Sequence, residues 1–70
     1  MKWHETSDET PKPGAICVCK MVEDWECNLF FYAVYEFIAD SWKYPWHSME
    51  TGNDMKKDYV DFWAYIEEGE

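Results

Sequence analysis

Seventy residues carry fifteen Asp or Glu, six Lys and no Arg, for a net charge of −9. Such a chain makes one domain, 1–70, and buries only about 60 % of its unfolded surface. Its charge disfavours direct binding to DNA, RNA or anionic membranes, because phosphate binding needs cationic side chains to release counterions.

No run approaches the ~18 apolar residues of a membrane span, and the opening MKWHETSDE has no apolar signal-peptide core. The expected location is the cytoplasm. Three cysteines, an odd number, argue against a disulfide-stapled secreted module. Leu and Ile are few, whereas five Trp, five Tyr and four Phe are present. Most of these rings are expected to form the core, since each buries roughly 150–250 Å².

The first structural signal is Pro11-Lys12-Pro13-Gly14, a turn. Ala15–Val22 follows as a β-rich run, and Glu23–Asn28 reads as a polar hairpin loop. The stretch 29–38, LFFYAVYEFI, fits both helical and strand spacing. Its aromatic and β-branched residues lose rotamer freedom in a helix and fit a pleated surface, which favours a strand. Ala39-Asp40-Ser41 then turns the chain into Trp42-Lys43-Tyr44, predicted as a short strand stopped by Pro45. Residues 46–57 are polar, contain Gly52-Asn53, and read as a loop. The segment 59–66 again fits two patterns. A helix there would place Glu67, Glu68 and Glu70 at its repelling C-terminal end, so a strand is preferred and a C-terminal helix stays as the alternative. The expected fold is a small all-β or β-rich α+β domain: an antiparallel meander of three or four strands, with residues 32–35 in a central strand, an aromatic core, and one face closed by Trp3 and the long loop.

Trp3, Pro13, Gly14, Tyr35, Trp42, Val60, Trp63 and Ile66 together form a pattern: an early Trp, a Pro-Gly step, an aromatic strand, a Trp after a turn, and a closing Val-x-x-Trp-x-x-Ile. This pattern resembles a family of short phage and prophage proteins of unknown function. The family usually closes with prolines, where this chain has Glu67-Glu68-Gly69-Glu70, and stretch 46–57 is longer here. The resemblance implies a fold and a phage-type setting. It brings no catalytic residues.

Chemistry-bearing motifs are sparse. Cys17-x-Cys19 puts two thiols on one strand face, and Cys27 with His4 or His47 would complete a Cys₃His zinc set. Structural zinc sites in small domains usually use two paired knuckles, and buried cysteines commonly act as small hydrophobes, so no metal and no cofactor are expected. The three glycines are isolated, which gives no phosphate loop. No Cys–His or carboxylate pair stands out for catalysis. So short a meander is expected to leave little room for a pocket of ~300 Å³. The chain reads as a non-enzyme.

The carboxylates fall in three blocks: Glu5, Asp8 and Glu9; Glu23, Asp24 and Glu26; Glu67, Glu68 and Glu70. Spaced over a compact sheet, they would attract a basic groove and speed its encounter. The leading expectation is a phage-type inhibitor that mimics nucleic acid and blocks a basic surface of a host defence protein. Its contact residues would be Glu23, Asp24, Trp25, Glu26, Glu67 and Glu68, with Trp25 as the anchor or, equally, folded back over Phe30 or Met21. Two alternatives stand beside it. One is an oligomer that sequesters a nucleotide signal, stacking a base on Trp25, Trp42, Tyr44 or Trp46 with Lys43, Lys56 and Lys57 near its phosphates. The other is a structural accessory subunit or homodimer joined through exposed aromatics.

Overall fold

Pro13 and Gly14 do what the sequence asks of them. The Ala15 N–H donates to the Lys12 carbonyl at 3.0 Å, and Gly14 has φ +83°. This is a type II turn, with proline first and a positive-φ glycine second. The computed structural model describes residues 2–66, and this turn launches the longest strand in it.

Six strands form one sheet: β1 (His4–Glu5), β2 (Ala15–Asp24), β3 (Leu29–Phe37), β4 (Trp46–Ser48), β5 (Asp54–Met55) and β6 (Phe62–Tyr65). Their order is β1-β6-β2-β3-β4-β5, and every pairing is antiparallel. A small antiparallel β domain is therefore the observed class, and residues 32–35 lie in β3, one of the two central strands. The strand count exceeds the expected three or four. The chain from β2 to β5 is a meander, but β6 then returns to the far side of β2 and β1 closes the edge beyond it. Among the described residues no helix is long and apolar enough to cross a membrane.

Three local expectations need correction. Trp42–Tyr44 is not a strand: these residues are exposed and lie in the β3–β4 connection. The ladder to β3 starts only at Trp46, opposite Phe37, because Pro45 has no N–H to contribute. Residues 46–57 are not simply a loop, since they hold the β4–β5 hairpin. Its polar look comes from the turn residues, where Ser48 Oγ accepts the N–H groups of Glu50 and Thr51 and Gly52 takes φ +80°. The last strand starts at Phe62 rather than Tyr59, because Lys57–Tyr59 forms a 3₁₀ turn that carries Val60 into the core. No α-helix forms at 55–66; Glu67 and Glu68 lie outside the described residues.

Strand alternation builds the core. Cys17, Cys19 and Met21 of β2 point to one face with Tyr35 and Phe37 of β3, Trp46 of β4 and Trp63 of β6, and Val60 completes the cluster. The centre of that face is small. Cys19 lies between Ala33 and Trp63 in register, which leaves space for the rings flanking it. The Trp46 indole donates to the Lys57 carbonyl at 3.1 Å, and the Trp63 indole donates to the Glu9 carbonyl at 2.9 Å. Each buried N–H is thus satisfied by an irregular segment lying over the sheet. Phe37 meets Trp46 edge-on at 4.9 Å. The expectation that most aromatics are core fails, however. Trp3, Trp25, Trp42, Tyr32, Tyr44, Tyr59, Phe30 and Phe31, eight of the fourteen, are exposed. Trp3 lies on the opposite face of the sheet and does not close the core.

Burial, and then the neighbouring Cys17, hold the Cys19 thiol well above its ordinary pKa. Burial likewise raises Tyr35, assisted by nearby Tyr59. The unfolded chain therefore releases these protons at lower pH than the folded one. Stability should be fully present below the ordinary thiol value of about 8.5 and decline as pH rises above it. Urea midpoints measured from pH 7 to 10 check the sign. Phe37→Ala should cost about 3–5 kcal/mol, whereas Trp42→Ala should stay within about 0.5 kcal/mol, both read by chemical denaturation.

Candidate functional site

The β2–β3 hairpin determines what the protein presents to its surroundings. Between Val22 and Asp24 the register shifts, so Asp24 pairs with Leu29. An irregularity of this kind twists the ribbon end. The tip then closes through Asn28, which takes φ +56°, a conformation that Asn tolerates better than most residues.

Of the predicted contact residues, Glu23, Trp25 and Glu26 are exposed at this tip. Asp24 is not available in the same way. Its Oδ1 accepts the N–H groups of Glu26 at 3.0 Å and Cys27 at 3.3 Å, which makes it the residue that shapes the turn. Glu67 and Glu68 lie outside the described residues. Trp25 covers neither Phe30 nor Met21. It is 63 % exposed and leans edge-on against Phe62 of β6, with ring centroids 6.2 Å apart.

That contact joins Trp25 to a wider patch which the sequence reading missed. On the face of the sheet opposite the core, the Lys20 ammonium lies 4.4 Å from the Phe30 ring centre, 5.2 Å from Phe62 and 5.9 Å from Trp3. Tyr32 touches both Trp3 and Phe30. A cation over aromatic faces is attracted by their quadrupoles, by about 0.5–1 kcal/mol at an exposed site. The lysine thereby holds several exposed rings in a fixed array. The available signal was alternation: Lys20 shares its strand face with Ile16, Val18 and Val22, an apolar row interrupted by one charge.

Beside Trp25 opens a cleft of about 340 Å³, more room than so short a chain was expected to leave. Its walls come from β1, the 3₁₀ turn and the start of β6. Asp61, at its edge, accepts the Val22 N–H through Oδ2 at 2.7 Å and so ties the cleft to the base of the hairpin.

The other candidate constellations are not assembled. Trp46 is fully buried and offers no face to a base. Trp25 and Trp42 stand at opposite ends of β3. Lys57 pairs with Asp40 at 3.2 Å, and Lys43 sits over Tyr44 at 5.6 Å. Cys17 and Cys19 are buried in the core while Cys27 is exposed at the hairpin tip. His4 stacks on Trp63 at 4.4 Å and contacts Glu9, and His47 contacts Asp54. Among the described residues no group of three or more His, Cys, Asp or Glu is placed to hold a metal ion.

No protein-family model, curated protein or solved structure matches this chain.

The division of roles within the tip is testable. Asp24→Ala leaves two turn N–H groups without their acceptor and should cost about 1–2 kcal/mol. Glu23→Ala and Glu26→Ala should stay within about 0.5 kcal/mol. Urea denaturation of the three variants checks this ordering.

Proposed function

We propose that this chain is a non-enzymatic interaction protein that places its β2–β3 tip and outer aromatic face on a basic surface of a host protein. In that role it acts as a phage-type inhibitor standing in for nucleic acid. The observation that carries this reading is Trp25, 63 % exposed at a hairpin tip between Glu23 and Glu26. A large ring held outside the core by a turn that Asp24 stabilises costs apolar exposure, and interfaces recover that cost. Trp is also a favoured hot-spot residue, and contiguous exposed aromatics mark interaction surfaces in soluble proteins.

The net charge of −9 supports a partner of opposite sign. Carboxylates at the rim would steer encounter and raise the association rate, while the buried ring would set the lifetime of the complex. A basic groove built to hold phosphates meets here a surface rich in anions and flat rings, the two features that single-stranded nucleic acid also offers. The pattern resembling short phage proteins supports the setting. A homodimer through the same aromatic face is the second reading, favoured by the exposure of Phe30 and Tyr32 next to Trp3.

Affinity capture from a host lysate, with duplex DNA as competitor, tests the first reading. The expected partner is a basic nucleic-acid-binding protein that DNA displaces and that rising salt releases. Trp25→Ala should weaken capture by about 2 kcal/mol or more. It should barely move the melting temperature, since the ring is 63 % exposed. A chain that captures only itself supports the homodimer.

A further inference from the structure

The cleft beside Trp25 has a composition that selects its ligand. Its floor is apolar: Val60, 1 % exposed, and Phe62, with Trp25 as a wall. Its rim carries three carboxylates, Glu5, Asp58 and Asp61. Lys57 also lines it, but its ammonium is paired with Asp40 at 3.2 Å. The local field is therefore negative above a surface of rings.

A second, independent feature lies in the same cleft. Thr6 lines it and is 5 % exposed. Its Oγ1 is buried with no hydrogen-bond partner, although the Thr6 backbone N–H is satisfied by the Asp61 carbonyl at 3.1 Å. A buried hydroxyl left unpaired carries a desolvation penalty, and buried polar groups in native proteins nearly always find a partner. This one belongs to a residue that lines the cleft, and its oxygen lies just beneath the cleft wall. A turn of the Thr6 side chain about χ1 brings that oxygen to the cleft, where it can accept a hydrogen bond from an entering donor.

We propose that the cleft is a binding site for a guanidinium group, taking an arginine side chain of the basic partner. The inference rests on the reading that the partner is basic. A guanidinium suits each wall. Its flat face stacks on Trp25 while its edge meets Phe62, which stands edge-on to that indole, its several N–H donors reach carboxylates in a fork, and it is more weakly hydrated than an ammonium. One N–H meets Thr6 Oγ1 once that side chain turns toward the cleft. The volume of about 340 Å³ lies at the small end of ligand pockets, as expected for one side chain rather than a drug-sized molecule. The cleft thus complements the aromatic face. Trp25 serves both, offering one side to the partner's surface and forming a wall of the pocket with its contact to Phe62.

The test uses the intact protein and two small probes, acetyl-arginine-amide and its neutral isostere acetyl-citrulline-amide, followed by ¹H–¹⁵N NMR. The arginine probe should give saturable shifts at the Thr6 amide, the Trp25 indole and residues 60–62, and citrulline should bind roughly tenfold more weakly, since charge-assisted hydrogen bonds are the stronger ones. Thr6→Val removes the lone hydroxyl with little change of shape. It should keep the folded spectrum, hold or raise the melting temperature, and lower arginine affinity several-fold. Glu5→Gln, an exposed position, should lower it as well. Equal binding of both probes would show a neutral or aromatic ligand site and overturn the proposal, as would shifts scattered over all surface carboxylates. The two readings fail separately. Partner capture that persists while arginine does not bind rejects the guanidinium site alone. Arginine binding without capture of any basic partner rejects the proposed function and leaves the cleft as a guanidinium site.

Discussion

Two buried indoles hold this fold together. Trp46 and Trp63 sit on strands separated by β2 and β3, yet both belong to one core, so the sheet must curl around them. Each indole N–H is satisfied by a carbonyl outside the ladder, at Lys57 or at Glu9. Those bonds pin the segments at Glu9 and at the Lys57–Tyr59 turn over the core face, which no α-helix covers among the described residues. Were either segment to lift, a ring and its N–H would meet water together. In a chain this short, where the stability margin is a small remainder, such coupling makes loop conformation and core packing one cooperative unit.

Small side chains make the arrangement feasible. Cys17 and Cys19 occupy the middle of the core face, and Ala33 lies beside Cys19 in register. Bulky residues there would collide with the rings arriving from β3, β4 and β6, and overpacking destabilises as surely as a void does. The thiols thus serve as compact apolar filler, and their burial accounts for the raised pKa of Cys19.

The opposite face follows a different rule. There the central strands carry Ile16, Val18, Val22, Phe30, Tyr32 and Val34, and among the described residues nothing covers them fully. Lys20 partly resolves the exposure by drawing Trp3, Phe30 and Phe62 around its ammonium. A charged group stabilised by rings keeps the face ordered and wettable while leaving its edges accessible. The same economy places Trp25 at the boundary between the aromatic face and the cleft, so that the surface proposed for a partner and the pocket proposed for its arginine share one side chain.

Much of this was legible locally. Pro13-Gly14 dictates its turn by the fixed φ of proline and the freedom of glycine, and Glu23–Asn28 reads as a hairpin loop from its polar composition. The β-branched and aromatic content of 29–38 identifies a strand. What the sequence could not convey is which side of that strand faces inward, because both sides are aromatic and only the pairing of Cys17 with Tyr35 decides it. Nor does local pattern reveal that β6 returns beside β2, that Trp46 is buried within a polar-looking stretch, or that Thr6 and Asp61 are hydrogen-bonded neighbours in the wall of one cleft. These depend on contacts between residues far apart in the chain. Alternation states that two faces exist, and the long-range register alone assigns one to the core and the other to solvent.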